Sequence, residues 1–416
     1  MFDRDNWQEI FATIRKNRLR TFLTCLGVGW GIFMLVIMLG AGNGLRNGIM
    51  QDFNGTATNS FFMWPQKTNK AYKGMQPGRR YNFNNADAIA LSQLKELAIV
   101  SPQNQLGGHD QGSNVIRGLK TGNFEVGGVY PNISDIEYIN MTSGRFLNDN
   151  DIREKRKVCV IGSRVKEVLF AKGEDPLGKY IRISGVYFKV IGCSTPTSNG
   201  DRAREESQRV MIPFTTFQNA FNYGDVVGWF AICAHPQITA EEAEKKAISI
   251  IKERHKVAPD DDLAVGHWNM GVQYKRVSGL FVGINALVWF VGIGTLIAGV
   301  IGISNIMLII VKERTREIGV KRALGAVPAS VISQIILESV FLTIIAGYVG
   351  MLLGLVLLEG LNSALGEGGE MFRNPTVDLS VILQALSVLI ISGAIAGFIP
   401  AIRAVSIHPV EALRAE

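Results

Sequence analysis

Residues 277–311 read VSGLFVGINALVWFVGIGTLIAGVIGISNIMLIIV without one charged side chain, and this run determines how the whole chain is organised. As a helix these 35 residues would extend about 52 Å, whereas the hydrocarbon core of a bilayer is about 30 Å thick. We therefore predict a transmembrane helix whose first part, from Val277 to about Asn285, continues outside the membrane as a stalk. The alternative is a tilted span with a loop at its top.

Three further runs without charge lie at residues 21–45, 339–358 and 379–402, and they contain 25, 20 and 24 residues. Each is as long as the ~20 apolar residues that cross a bilayer core. The first run exceeds the roughly 7–15 apolar residues of a cleaved signal peptide, and no small-residue cleavage site follows it. We predict four transmembrane helices, which exclude a soluble cytosolic enzyme.

Basic residues predict which ends of these helices face the cytoplasm. They cluster before the first span, at Arg4, Arg15, Lys16, Arg18 and Arg20, and after the second, at Lys312, Arg314, Arg316, Lys321 and Arg322. By the positive-inside rule both clusters are cytoplasmic. Both termini are then cytoplasmic, and we predict a multi-pass protein of the inner cell membrane with residues 47–276 on the outer side. Because the basic excess behind the net charge of +7 lies beside the spans, it does not call for a nucleic-acid partner.

The predicted organisation therefore alternates membrane and aqueous segments. In chain order these are an amphipathic cytoplasmic helix at 1–20 that lies on membrane lipid, a first span at 21–46, an extracytoplasmic domain at 47–276, a second span with its stalk at 277–311, a cytoplasmic helix or loop at 312–328, a third span at 329–358, an extracytoplasmic loop at 359–378, a fourth span at 379–403, and a cytoplasmic tail at 404–416.

The large domain at 47–276 has the pattern of a mixed α+β fold. Helical spacing behind a cap predicts helices at 84–98 and at about 240–255. Residues 180–192 alternate apolar and polar on both sides of Ser184-Gly185, which predicts a β-hairpin. Shorter strands are predicted at 60–64, 157–161, 209–212 and 228–233. We expect two lobes, one of about 55–128 plus 212–272 and one of about 129–211, with an exposed flexible loop at 194–208.

The sequence contains no clear motif for nucleotide binding, metal binding or catalysis. Gly173–Lys179 reads GEDPLGK and resembles a phosphate-binding P-loop, but Tyr180 stands where the loop needs Ser or Thr, and a strand pattern follows. Five His residues show no paired spacing, so we predict no metal site. Cys159, Cys193 and Cys233 lie in apolar stretches and are predicted to be buried thiols, with one disulfide at most. No nucleophile motif is present, so we predict no catalytic site and no enzyme activity.

Two kinds of residue inside the spans stand out. Glu338 lies in the third span, where a carboxylate is by default a functional candidate. It follows Pro328 by ten residues, about 15 Å of helix, so we favour a position near the inner headgroups with a bond to a neighbouring helix over a proton or substrate relay. Glycines with small-xxx-small spacing predict close helix packing or dimerisation, at Gly27/Gly31, Gly40/Gly44, Gly350/Gly354 and Gly393/Gly397.

The sequence KERTREIGVKRALGA at Lys312–Ala326 is strongly charged yet keeps Ile318, Val320 and Leu324 for contact. This pattern suits a short helix at the membrane surface, either for recognition or as an ordinary juxtamembrane anchor. Together with QIILESVFLTIIAGYVGMLLG at 334–354 and GFIPAIRAVSIHPVEALRAE at 397–416, it resembles the FtsX-like permeases of ABC transporters, and in particular the MacB-like type. The outer domain is similar to the periplasmic core domain of that family at 143–151, 158–165, 175–192 and 209–218.

The resemblance implies a homodimeric permease with four spans per subunit and an ATPase subunit as partner. ATP would bind to that partner, so no cofactor is expected in this chain, because no ATPase domain precedes its first span. The coupling residues implied by position are Glu313, Arg314, Arg316, Glu317, Gly319, Lys321, Arg322 and Gly325. Closure of the ATPase would move the stalks and outer domains, which is mechanotransmission.

Two functions follow from this resemblance. The first is the permease of an efflux or extrusion machine, which also admits a periplasmic adaptor and an outer-membrane channel as partners. The alternative is a non-transporting FtsX-like signal transmitter that activates a cell-wall hydrolase or a sensor partner.

Overall fold

The computed structural model describes residues 18–107, 112–198, 200–365, 375 and 379–406. It divides into two compact units, one of Met1–Gly48 with Leu280–Glu416 and one of Ile49–Gly279. The predicted amphipathic helix at 1–20 and the predicted tail at 404–416 lie almost entirely outside the described residues.

The first unit is helical. Among the described residues, four helices are long and apolar enough to cross a membrane, over Cys25–Gln51, Met270–Glu313, Pro328–Ala364 and Ile382–Val405. Together with a short helix, the complete elements are α1 (Arg18–Asn54), α8 (Met270–Glu313), α9 (Thr315–Ala323), α10 (Pro328–Leu365) and α11 (Leu379–Val405). The second span is helical from Met270 onward, so the alternative of a loop at the top of a tilted span is wrong.

Small residues let the helices of this unit approach closely. A Cβ on Gly350 of α10 would lie 2.1 Å from the carbonyl oxygen of Gly29 in α1. Gly393 and Gly397 of α11 lie in the same way against α10, where Cβ atoms would come within 3.0 Å of Val340, Thr343, Ser339 and Ile336. The predicted glycine pairs at 350/354 and 393/397 therefore pack helices within the chain.

The second unit is a mixed α/β domain. Its strands are β1 (Ser60–Pro65), β2 (Phe83–Asn84), β3 (Leu97–Gln105), β4 (Ser113–Arg117), β5 (Lys120–Val129), β6 (Asn140–Gly144), β7 (Val158–Gly162), β8 (Tyr180–Ile183), β9 (Val186–Thr195), β10 (Arg209–Pro213), β11 (Val226–Val227), β12 (Trp229–Ala234) and β13 (Val265–Asn269). Its short helices are α2 (Asn85–Ser92), α3 (Asp149–Arg153), α4 (Ser163–Leu169), α5 (Gly200–Gln208), α6 (Phe214–Ala220) and α7 (Ala240–Arg254), with a 3₁₀ turn at Pro131–Asp135.

Strand pairing gives this unit two parts. Pairings run β10–β7–β9–β8–β4–β5 and return from β5 to β10, so these six strands close a ring. The sheet then continues from β5 through β3, β12 and β1 to the edge strand β13, all antiparallel. The predicted hairpin at 180–192 is confirmed as β8 and β9, and the left-handed turn at Ser184-Gly185 has φ values of 44° and 89°.

Three predictions for this unit need correction. The lobe boundary is wrong because β4 and β5 belong to the ring, where buried Val115 and Phe124 share one apolar core with Cys159. The helix predicted at 84–98 ends at Ser92, since Leu97 begins a strand that pairs with β12.

The third correction concerns residues 194–208. Gly200–Gln208 is a helix, and Glu206 accepts hydrogen bonds from the Thr197 amide and the Ser198 hydroxyl at 2.8 and 2.7 Å. The segment is therefore folded rather than a flexible loop. In this described domain Cys159, Cys193 and Cys233 are buried free thiols, as predicted.

Candidate functional site

The predicted coupling segment forms a tight helical corner. Helix α8 ends at Glu313 and α9 begins at Thr315, so Arg314 alone separates them. After α9, Gly325 has a φ of +95°, a left-handed conformation that glycine adopts without steric cost. Pro328 is then the first residue of α10, a position that suits proline because its missing N–H would have no intrahelical partner.

At this corner Arg314 lies between two carboxylates. Its guanidinium donates to both oxygens of Glu317, from Nε at 3.1 Å and from Nη2 at 3.2 Å. Its Nη1 lies 3.5 Å from Oε2 of Glu338, whose side chain is only 3% exposed. Lys321 lies 3.7 Å from Glu317 and adds a second cation. Arg314 therefore joins the short helix α9 to the interior of the third candidate span.

Arg314, Glu317, Lys321 and Glu338 share their cleft with apolar side chains. Met307 and Ile310 of α8, Ile318 of α9 and Ile335 of α10 line the same cleft as Arg314 and Glu338. Burial in such surroundings is costly for an isolated charge, so the carboxylate of Glu338 is held by its pairing with the guanidinium. The corner thus has a fixed geometry rather than that of a loose loop.

The other predicted residues are distributed around the corner. Gly319 is buried, and Arg322 donates a hydrogen bond to the carbonyl oxygen of Val405 at the end of α11. Glu313 and Arg316 are exposed. The structure therefore brings together Arg314, Glu317 and Lys321 with Glu338, whereas it directs Arg316 outward.

Three apolar residues that follow Arg316 in sequence are exposed as well. Leu324 is 84% exposed and Val327 is 66% exposed, although both are strongly apolar. Val320 is also exposed. Exposed apolar residues close in sequence to an arginine suit a protein interface, because the centre of an interface is more apolar than the rest of the surface and is enriched in arginine.

We expect the corner to lose stability in acid. The hydrogen bond from Arg314 lowers the pKa of Glu317, so its contribution is complete above the ordinary carboxyl pKa of about 4.3 and is lost as pH falls below that value. The thermal midpoint of Glu317→Gln should therefore lie below that of the wild type at pH 7, with the gap closing as the pH is lowered through the acid range. The same substitution at exposed Glu253 is the control, and a gap that does not change with pH would contradict the prediction.

The sequence did not reveal how these groups are connected. Glu338 and Arg314 were separate candidates because 24 positions divide them, and the bond from Arg322 to Val405 crosses 83 positions. A basic residue at the end of one span and a carboxylate near the start of the next is the signal that was available. Among the described residues no cluster of three His, Cys, Asp or Glu side chains suits a metal ion.

Two family models match the chain. The MacB-like periplasmic core domain matches residues 21–250, and the FtsX-like permease C-terminal model matches residues 289–409. The two matches together cover most of both units of the structure, and the first alone spans more than half of the chain.

Curated relatives match almost the whole chain. The pyoverdine export ATP-binding/permease protein PvdT of Pseudomonas entomophila is 28% identical over 400 residues, which are 96% of this chain and 58% of that protein. The macrolide export ATP-binding/permease protein MacB of Psychrobacter arcticus is 27% identical over 412 residues, 98% of this chain and 59% of that protein. The chain thus spans about three fifths of the length of these relatives.

Among solved structures, the periplasmic region of MacB from Actinobacillus actinomycetemcomitans aligns with 55% of this chain and 97% of its own. The TM-score is 0.44 and the sequence identity is 20%.

Proposed function

We infer the function of this chain from its family, because the chain belongs to the MacB-like periplasmic core domain family and carries an FtsX-like permease region after that domain. It is a membrane protein of the ABC transporter permease family, and the part of the chain that the structure describes contains four helices long and apolar enough to cross a membrane. We propose that it transmits the work of an ABC ATPase subunit from the cytoplasm to the domain between its first two spans.

The continuity of α8 carries this proposal. The helix begins at Met270, directly after strand β13 ends at Asn269, and it runs without interruption to Glu313. Its 44 residues correspond to about 66 Å of helix, more than twice the thickness of a hydrocarbon core. Because neither end has a flexible linker, rotation or translation of the corner at Arg314 would be passed along the helix to a strand of the mixed domain.

The exposed surface of the corner, which includes Arg316, Leu324 and Val327, is the proposed ATPase contact. Leu324 and Val327 supply exposed apolar side chains. Arg316 supplies an exposed positive charge, because the ion pairs among the described residues of this segment involve Arg314 and Lys321 rather than Arg316. Arg314, Glu317 and Lys321 would then support this surface from within rather than contact the ATPase. Of the eight predicted coupling residues, this division assigns Arg316 to the contact and Arg314, Glu317 and Lys321 to its support.

The remaining features follow from the family and the relatives. We propose that both termini and the corner are cytoplasmic, that the protein lies in the inner membrane, and that two copies form a homodimer. The names of the relatives describe export of pyoverdine and of macrolides, so we propose export for this chain, without assigning it either substrate. An adaptor and an outer-membrane channel would complete such a machine.

Affinity purification of the tagged chain from native membranes tests the ATPase contact. We expect an ABC ATPase to be recovered with the wild type and to fall by about tenfold or more with Arg316→Glu combined with Leu324→Asp, since one central anchor can carry that much binding energy. Lys172→Glu, an exposed charge reversal in the mixed domain, is the matched control.

Mass spectrometry identifies the proteins that remain bound. Equal recovery of the ATPase with the double variant would contradict the assigned contact, and no ATPase with the wild type would contradict the proposed function. A hydrolase or a sensor kinase recovered beside the ATPase would favour signal transmission over export.

A further inference from the structure

The start of α8 is fixed to the mixed domain by side chains as well as by the chain itself. Asn269, the last residue of β13, accepts a hydrogen bond from the amide of Val272 through its Oδ1, at 3.1 Å. This is an N-cap contact, which satisfies one of the amides that the first turn of a helix leaves without a partner. The side chain of Asn269 therefore holds the first turn of α8.

Glu244 of helix α7 holds Asn269 in turn. Its Oε2 accepts from Nδ2 of Asn269 at 2.8 Å, and its Oε1 lies 2.7 Å from Nδ1 of His267 on β13. The side chain of Glu244 is 7% exposed, and Asn269 is buried as well. Both carboxylate oxygens are thus engaged by the strand that leads into α8, 23 and 25 positions further along the chain.

Packing at the same place leaves little room for independent movement. A Cβ added to Gly271 would lie 3.2 Å from Cβ of Ala240, the first residue of α7, and 3.1 Å from the carbonyl oxygen of Thr58. Tyr274 stands edge to face against Phe53, with ring centroids 5.8 Å apart. The first two turns of α8 therefore contact the start of α7 and the end of α1 with the segment that follows it.

We propose that Glu244 is a positioning residue for force transmission. It fixes the cap of α8 to α7, so that any movement of the helix start carries α7 with it. We call the hydrogen-bonded link from Glu244 through Asn269 to the first turn of α8 the clamp. Its role in force transmission rests on the proposed function, whereas the clamp itself does not. A carboxylate suits this position because it has two oxygens. Glu244 therefore engages the side-chain amide of Asn269 and the ring of His267 at the same time.

Hydrogen exchange of the full chain in lipid nanodiscs tests the clamp without any ATPase. In Glu244→Ala the side chain of Asn269 loses its anchor on α7, so the Val272 amide that it caps should exchange up to about fivefold faster than in the wild type, the factor expected when a cap is lost outright. Glu244→Gln keeps an oxygen that can accept from Asn269, and its exchange should remain near that of the wild type. Glu253→Ala, an exposed position on α7, is the matched control.

Three results would overturn the clamp. These are equal exchange in Glu244→Ala and Glu253→Ala, equal acceleration in strand β12, which would show a general loss of the fold, and a Glu244→Gln variant as fast as Glu244→Ala. Should Glu244→Ala fail to fold, Glu244→Asp offers the same comparison, because a side chain shorter by one methylene keeps the charge and withdraws its oxygens from Asn269 and His267. Asn269→Ala, which removes the cap itself, sets the largest acceleration to expect.

Exchange in the complex with the co-purified ATPase tests the consequence. On addition of ATP, we expect exchange to change in both α9 and α7 of the wild type, and in α9 alone of Glu244→Ala. An equal ATP response of α7 in the two proteins would overturn the positioning role. No ATP response of the mixed domain in the wild type would instead contradict the proposed function, while the measurements without ATPase would still decide the clamp.

Discussion

Replacing Gly350 with valine is expected to prevent stable packing of the helical unit. Even the first carbon of a side chain at this position would lie 2.1 Å from the carbonyl oxygen of Gly29, 2.8 Å from its carbonyl carbon and 3.0 Å from its Cα. These are backbone atoms of α1, so no rotamer change can relieve the contact. Overpacking of this kind costs about 1–3 kcal/mol and sometimes more, and here two whole helices must separate.

The same helix provides the matched control. A Cβ at Gly360 of α10 would meet no atom of the described chain within 4 Å, and Gly360→Val changes the same two residue types. We expect Gly360→Val to unfold at the wild-type concentration of denaturing detergent, whereas Gly350→Val unfolds at a much lower one or is recovered only as aggregate. Similar unfolding midpoints for the two variants would contradict the packing of α1 against α10.

The membrane helices could be predicted because the bilayer imposes a simple rule. A run of ~20 residues without charge satisfies the thickness of the hydrocarbon core whatever its neighbours are. The ends of the helices do not follow from that rule. Helix α8 begins seven residues before the charge-free run, at Met270, because Asn269 caps it and β13 ends there. The cap depends on contacts with Glu244, which lies 25 positions away in sequence.

The mixed domain shows where sequence patterns are ambiguous. Leu94 and Leu97 fit the spacing of a helix, but Leu97 also begins a strand whose hydrogen bonds go to β12, and that pairing prevails. The polar composition of 194–208 predicted a loop, yet Glu206 accepts from both Thr197 and Ser198 and orders it. The first segment is determined by a strand that is distant in sequence, β12, and the second by the hydrogen bonds of one side chain, Glu206.

The candidate site could also be predicted only in part. The family resemblance identified the segment at 312–326, but it could not separate residues that face outward from residues that hold the corner. Burial makes that separation, because Arg316 is exposed whereas Arg314 is joined to Glu338 inside the cleft. An intramembrane carboxylate of this kind is easily taken for a proton relay. Its ion pair with Arg314 at 3.5 Å is instead the kind of bond to a neighbouring helical segment that we favour over such a relay.

Removing the guanidinium of Arg314 should therefore destabilise the helical unit more than any other single change at the corner. In Arg314→Ala the carboxylate of Glu338 loses this cation in an almost fully buried position, which typically costs about 3–5 kcal/mol. Replacing both partners by apolar residues of similar size removes the buried charge as well, and such replacements are often neutral or stabilising. Arg314→Met combined with Glu338→Leu should therefore recover most of the stability lost in Arg314→Ala.

Detergent unfolding of the wild type, Arg314→Met, Glu338→Leu and the double variant forms a double-mutant cycle that measures the coupling between the two groups. Lys312→Ala, an exposed basic residue two positions earlier, controls for the change in net charge and should unfold like the wild type. Additive losses in the double variant would show that the two groups do not act as a pair. If the double variant regains stability but shows a weaker ATP-driven change of exchange in the mixed domain, the pair contributes to transmission, because an apolar contact restores packing without the ion pair between Arg314 and Glu338.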